Sequence, residues 1–311
     1  MIYAARVVRL FEAFAPAASL RPRGAGRSAS DGGVRIRWLG TAGFTIEVAN
    51  GAVAIDPYLT RASLGTLATR RLRPDAQALA AHMPARLQAV LCGHSHFDHA
   101  LDAPSLARLS GARLVGSKTT IAFGRASLLD ERALTEIPAS GGSVALADFD
   151  VEFVPSLHAR ILLGEVPFRG ELDALPALPA RIWEYRMGGA YGVFVRSAGV
   201  SVYHNGSADL IDAALEGKRA DVLLVGLAGR AVTPDYLSRL LNLLRPKVVV
   251  PAHHDAMFEP LERGVRLLPG VDFPGFVRDV RRILPSAQVV APLYGESLFV
   301  ARAASDAYLD S

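Results

Sequence analysis

"LCGHSHFDHA", residues 91–100, places three histidines and an aspartate within six positions, His94 to His99. The whole chain has eight histidines in 311 residues, so the clustering calls for a reason. It follows "LQAV", residues 87–90, an apolar run of strand length. In an extended segment, residues two apart point to the same side. His94 and His96 then face one point, while Phe97 turns toward the core. Asp98 and His99 come round on the turn and reach a neighbouring point. Imidazole nitrogens and a carboxylate suit zinc, iron or manganese. The run therefore predicts a metal site at a strand's carboxyl end, where α/β proteins commonly bind ligands.

Outward from this stretch, strands alternate with helices. The compact part begins near Val34. "VRIRWLG" alternates apolar and basic residues, and "FTIEV" and "AVAID" follow across the turn "ANG", giving a strand–turn–strand opening. "PSLARL" and "KTTIAFGRA" read as helices around the strand "ARLVGS". "SVALADFDVEFVPS" reads as a strand pair. "YGVFVRS" and "VSVYHNG" read as a hairpin about Ala198 and Gly199. "TPDYLSRLLNLL" has a Thr cap with Pro in the first turn, a helix start. "KVVVPAHHD" is a strand running into a second histidine pair. "FPGFVRDVRRIL" is a late helix, and "AQVVAP" and "SLFVAR" close the chain as strands. Residues 160–190 are irregular and rich in proline and apolar residues, with Phe168, Trp183 and Tyr185.

Half of the residues are apolar and 21% are charged, with mean hydropathy +0.24. This excludes extended disorder. No apolar run reaches the roughly 18 residues needed to span a bilayer. Net charge is +4, but the arginines are dispersed, so nucleic acid is not an expected partner. A small-molecule substrate is. The single cysteine, Cys92, allows no intramolecular disulfide and fits a reducing, cytoplasmic setting. The N-terminal stretch is interrupted by Arg6, Arg9 and Glu12, which no secretory signal tolerates. It reads as an amphipathic helix, packed on the domain or left loose, or able to lie on a membrane surface. Residues 21–33 read as a flexible connector. The expected division is residues 1–33 and a domain over 34–311.

The histidine run resembles the signature of the metallo-β-lactamase fold superfamily. "RWLGTAGFTIEV" with "AIDPYLTR" is similar to its opening strands, "VPSLHA" to the place of a further histidine, and "PAHHD" to the last ligand stretch. The resemblance runs from about Val34 to Ala301 and looks most like the broad metal-dependent hydrolase branch, which includes lactonase-type proteins and N-acyl-phosphatidylethanolamine phospholipase D. It implies an α/β fold, a four-layer αβ/βα sandwich. It also implies one metal held by His94, His96 and His158, and a second held by Asp98, His99 and His253. Zinc is the expected ion, one or two per chain, with manganese or iron as alternatives. Asp98 is the expected catalytic residue, exchanging a proton with the attacking water or the leaving group.

The chain departs from the pattern at Ser207, which stands after Gly206 where the superfamily usually carries an aspartate bridging both metals. Asp209 and Asp255 are the candidate replacements, and His204 could turn inward. Asp56 is expected to hydrogen-bond a ligand histidine. His254 is expected to support the site or face solvent, and Cys92 to be a buried structural thiol. Tyr185, Arg186 and Tyr203 are candidate substrate contacts; His82 is assigned nothing. The implied function is hydrolysis of an ester, lactone or phosphodiester with an apolar or amphiphilic portion. The alternative, motivated by Ser207, is a metal-bound binding or sensing module with little turnover.

Overall fold

The computed structural model describes residues 11–22, 32–172 and 174–301. Its strands form two seven-stranded sheets. The first contains β1 (Gly33–Gly40), β2 (Gly43–Glu47), β3 (Ala52–Ile55), β4 (Leu87–Leu91), β5 (Arg113–Gly116), β6 (Leu134–Glu136) and, at the edge of β1, the last strand of the chain. The second contains β7 (Gly142–Ala145), β8 (Asp150–Pro155), β9 (Tyr191–Ser197), β10 (Val200–Asn205), β11 (Val222–Gly226), β12 (Val248–Ala252) and β13 (Gln288–Val289). The strand returning to the first sheet is β14 (Ser297–Ala301). Each sheet starts antiparallel and turns parallel: β1–β2–β3 then β3–β4–β5–β6, and β7–β8–β9–β10 then β10–β11–β12–β13.

The strands facing each other carry β-branched and aromatic residues, which suit a pleated, buried surface. Ile36, Trp38, Phe44 and Ile46 of the first sheet share one core with Val193, Val202, Leu224 and Val250 of the second. Helices cover the two outer faces. Beside the first lie α1 (Leu64–Thr69), α2 (Ala76–His82), α3 (Phe97–Ala100), α4 (Ala103–Ser110) and α5 (Lys118–Ala126), of which α2 and α4 pack in the sheet's outer cluster while α1 and α3 bury Leu67 and Phe97 in a separate one with Tyr58 and Phe123; on the second lie α6 (Asp212–Leu215), α7 (Tyr236–Leu244) and α8 (Phe273–Ile283). α7 buries Leu237, Leu240, Leu241 and Leu244, the spacing of one helix face. α8 starts where Asp272 accepts a hydrogen bond from the Gly275 N–H at 2.8 Å, a side-chain cap. This is the expected four-layer sandwich.

Three local readings change. α7 begins at Asp235 rather than Thr233, because the Thr233 hydroxyl donates to the Ala208 carbonyl and does not cap the helix. The strand expected over "AQVVAP" is reduced to two residues. Residues 11–17 of the N-terminal stretch are not helical. Phe14 N–H donates to the Val265 carbonyl, Leu267 N–H donates to the Glu12 carbonyl, and Ala13 bridges Arg266. Phe11 is buried and the Phe14 ring lies 4.6 Å from that of Phe273, so this apolar surface faces the domain. Residues 1–10 and most of the expected connector, 23–31, lie outside the described residues.

Candidate metal centre

Five strands end at one place. β3 leads into Asp56, β4 into His94–His99, β8 into His158 and β12 into His253, while β10 ends on His204 and Asn205 and leads into Ser207. The loop after β4 is fixed by its own backbone and hydroxyls. Gly93 N–H donates to Asp56 Oδ1 at 2.7 Å, and Ser95 N–H donates to the Met187 carbonyl at 2.8 Å. Ser95 Oγ is bonded to Thr120 Oγ1 at 2.8 Å. His96 then opens α3, with Asp98 and His99 in its single turn. Phe97 points away and meets Tyr58 edge-on, ring centres 5.7 Å apart.

Three sets of potential ligand atoms result: His94, His96 and His158; Asp98, His99 and His253; and Asp56, His94 and His99, which takes one histidine from each of the first two groups. The rings of His94 and His96 are 4.8 Å apart, those of His96 and His158 4.8 Å, and those of His94 and His158 4.9 Å. The His94 and His99 rings, one from each of the first two groups, are 3.8 Å apart. Asp98 Oδ2 is 3.1 Å from His253 Nε2 and 3.6 Å from His99 Nε2. All of these residues are buried except His158, which is half-buried.

Neighbouring acceptors choose which nitrogen of each ring is free. His96 Nε2 donates to the Pro167 carbonyl at 2.8 Å, His99 Nδ1 to Asp56 Oδ2 at 2.8 Å, and His158 Nδ1 to the Ala159 carbonyl at 2.8 Å. This leaves His96 Nδ1, His99 Nε2 and His158 Nε2, and such partners orient metal-binding imidazoles. His94 Nε2 is buried with no hydrogen-bond partner, and a buried orphan nitrogen is costly unless something occupies it; His253 presents Nε2 to its group, 3.1 Å from Asp98 Oδ2. The electrostatics agree. Burial, reinforced by the neighbouring histidines, holds His94 well below the ordinary imidazole range. Burial lowers His96 to about 4 and His158 to about 3. These rings stay neutral, the form that ligates. Burial opposes ionisation of Asp98, but His99 and His253 outweigh it and hold the carboxyl below its usual range. For His99, Asp56 and Asp98 outweigh burial and raise the pKa; a cation at Nε2 would take the place of that proton. The donor set fits a divalent cation.

The remaining candidates are placed elsewhere. Asp209 Oδ1 accepts from the Leu210 N–H at 2.8 Å and lies 3.7 Å from Arg239. The Asp255 carboxylate is taken up by Arg61, Tyr294 and the Thr41 N–H. Neither joins the two groups, so neither replaces a bridging carboxylate. Ser207 is buried at this end of β10. His204 Nε2 donates to the Ala42 carbonyl at 2.8 Å, with Nδ1 3.9 Å from Asp56. His254 does not face solvent: it stacks on Trp38, ring centres 4.8 Å apart. Tyr185 stacks on Phe123 and Tyr203 packs on Phe194, both in the core, so they are not substrate contacts. Arg186 is exposed. Cys92 is fully buried, and burial pushes its thiol up. Gly206 has no room for a side chain: a Cβ there would meet His204 at 2.9 Å and Asp56 at 3.1 Å.

Two contributors lie in a stretch that the sequence marks as irregular and apolar without singling out their roles. Pro167 fixes the His96 ring through a backbone carbonyl, and Phe168 stands edge-on to that ring at 6.5 Å. Both come from the irregular stretch, where no periodicity locates a residue.

Residues 35–253 match the family model described as the Beta-lactamase superfamily domain. The UPF0173 metal-dependent hydrolase of Methanopyrus kandleri is 26% identical over 268 residues, spanning 85% of this chain and 99% of that relative. Among solved structures, Igni18, a metallo hydrolase from Ignicoccus hospitalis, matches with a TM-score of 0.52 at 21% identity, covering 87% of this chain and 99% of that one. CmlA, a diiron beta-hydroxylase from Streptomyces venezuelae, matches with a TM-score of 0.55 at 14% identity, covering 86% of this chain and 54% of that one. These two structural likenesses concern the fold alone.

Proposed function

The chain belongs to the beta-lactamase superfamily, and from that premise we infer that it is a metal-dependent hydrolase of an ester, lactone or phosphodiester bond in a substrate with an apolar portion. The observation that carries the reaction class is the pair of three-donor groups. Three protein donors leave a position for water, the composition of catalytic rather than structural sites. In this reading His94, His96 and His158 hold one ion, and Asp98, His99 and His253 the other. Imidazole-rich donors favour zinc; manganese and iron accept the same ligand types. When bound, a divalent ion supplies water acidified to a pKa near about 7 and charge opposite a developing oxyanion. Asp98 directs Oδ2 at His99 and His253. Its carboxylate would orient the attacking water, accept the proton that water loses, and pass that proton to the leaving group.

The side on which the centre opens supports an apolar portion in the substrate. His158 is the least buried donor, and the chain beyond it exposes large aliphatic residues. Leu157, Ile161 and Leu162 are each about half exposed, and Leu163 is 99% exposed. Val232 is also exposed, in the turn after Gly229; a Cβ on Gly229 would touch Ile161 at 2.9 Å. Isolated exposed aliphatics are ordinary, but a contiguous group beside a site marks an interaction surface. It supports a small amphiphilic substrate rather than a polyanion such as nucleic acid. No helix among the described residues is long and apolar enough to cross a membrane. With one buried cysteine, we place the protein in the cytoplasm.

The positions of Asp209 and Asp255 favour one second reading, a metal-bound binding module with little turnover. A substrate panel separates the two. Esters, lactones and phosphodiesters are assayed with short and long acyl chains on the metal-loaded protein. Hydrolysis is expected, with kcat/KM rising by about tenfold for each two methylenes that the rim buries, at about 0.8 kcal/mol per CH2. Substituting Leu162 and Leu163 by Ser should flatten that dependence. Metal-dependent binding without turnover across the panel would establish the second reading instead.

A further inference from the structure

Thr41, in the turn between β1 and β2, has φ +51°. A β-branched residue in the left-handed region is an outlier that its surroundings must enforce. Those surroundings are a buried polar network. Thr41 N–H donates to both oxygens of Asp255, at 2.9 and 3.1 Å. Arg61 donates to the Thr41 hydroxyl and pairs with Asp255 Oδ2. Tyr294 Oη donates to the same oxygen at 2.7 Å, and Arg61 Nε donates to the Glu259 carbonyl at 3.1 Å. The Arg61 and Asp255 side chains are 2% and 0% exposed. On its other side, the Thr41 peptide reaches the metal centre. Its carbonyl accepts the His253 N–H at 2.7 Å and the Trp38 indole N–H at 3.1 Å. His253 also has a left-handed backbone, φ +51°, as does Arg61, φ +49°.

A buried ion pair contributes little to stability against an apolar alternative, and registry is its best-attested use. Here it joins the β1–β2 turn, the segment after β3, the segment after β12 and, through Tyr294, the segment before β14. We propose that Arg61, Asp255 and Tyr294 are positioning residues for His253, acting through the Thr41 peptide. This rests on the reading of His253 as a ligand in the second donor group. None of the four touches the first group, whose histidines are set by Pro167, Ala159 and the Ser95 contacts. The network therefore acts on one metal equivalent and not on the other.

The test is zinc uptake by the full chain, titrated against a competing chelator, with His158→Ala and His253→Ala identifying the equivalent that each group holds. Arg61→Lys keeps the charge but loses the fork, Asp255→Asn keeps the shape, and Tyr294→Phe removes one hydrogen bond. Arg61→Lys and Asp255→Asn are expected to weaken the His253 equivalent by at least about tenfold, the usual effect of losing a ligand's supporting partner. Tyr294→Phe should act in the same direction but less. The His158 equivalent should stay within about twofold. Equal weakening of both equivalents, or unchanged affinity in variants that melt as the parent does, overturns the proposal. If Asp255→Asn does not fold, the two gentler variants decide. A parent chain with no equivalent sensitive to His253→Ala overturns the ligand reading itself, and the positioning role with it.

Discussion

Asp98→Asn is expected to lower turnover by roughly 10³-fold, within the range for loss of a positioned acid–base group, while the chain stays folded. Asn has the shape of Asp, and its amide oxygen can still take the position facing His253 Nε2, now 3.1 Å from the carboxylate. What disappears is the negative charge, which His99 and His253 keep ionised against burial. Asp98 is also the one carboxylate in the two donor groups. Its loss leaves any cations there offset only through Asp56, which acts by way of His99 Nδ1. Both effects act at the reacting centre, so kcat should fall with little change in melting temperature. The check is kcat/KM with the best substrate of the panel, beside a thermal melt. Turnover within about tenfold of the parent would remove Asp98 from the mechanism.

Stripping divalent ions should produce the largest change in stability. An ion that binds only the folded chain stabilises it by about 4 kcal/mol when present at about 1,000 times its dissociation constant. The melting temperature should then drop by on the order of 10 °C on chelation at pH 7.5. The stripped protein should also be acid-sensitive in a defined window. His96 and His158 resist protonation in the fold down to about 4 and about 3, whereas free imidazoles take up protons below about 6.5. Above that pH both forms are neutral, and these groups carry no penalty. Between there and about 4, the unfolded chain binds protons that the buried rings refuse, and the fold loses stability at about 1.4 kcal/mol per pH unit per group. Asp98, held below its usual range, adds to the loss below about pH 4. His99, whose pKa is raised, opposes it, since its contribution is present at low pH and lost as pH rises. Denaturant midpoints from pH 8 to pH 4, with and without chelator, measure both effects. A chelator-independent midpoint at pH 7.5 contradicts them.

The two donor groups were legible because four donors lie within six residues of "HSHFDH" and the others stand at strand ends that resemble one superfamily. The covering helices were legible from one-face spacing, as in α8, where Phe273, Phe276, Val277 and Val280 are buried. What was hidden depends on pairs far apart in the chain or on backbone carbonyls. Asp255 reads in isolation as a spare carboxylate beside a histidine pair. Its partner Arg61 is 194 residues away, and burial of that pair turns it from a ligand candidate into a clamp. Tyr185 and Tyr203 read as aromatic handles near the site because sequence does not say which face of a loop or strand is covered. Packing against Phe123 and Phe194 decides it. The left-handed Thr41 has no signal at all, since a β-branched residue is among the last expected there.

The most direct test of the two adjacent donor groups is the zinc content of the purified, metal-saturated chain by elemental analysis, for the parent and for His158→Ala and His253→Ala. The predicted result is two equivalents in the parent and one in each variant. Two equivalents retained in both variants, or none in the parent, would contradict the assignment of these residues to a metal centre.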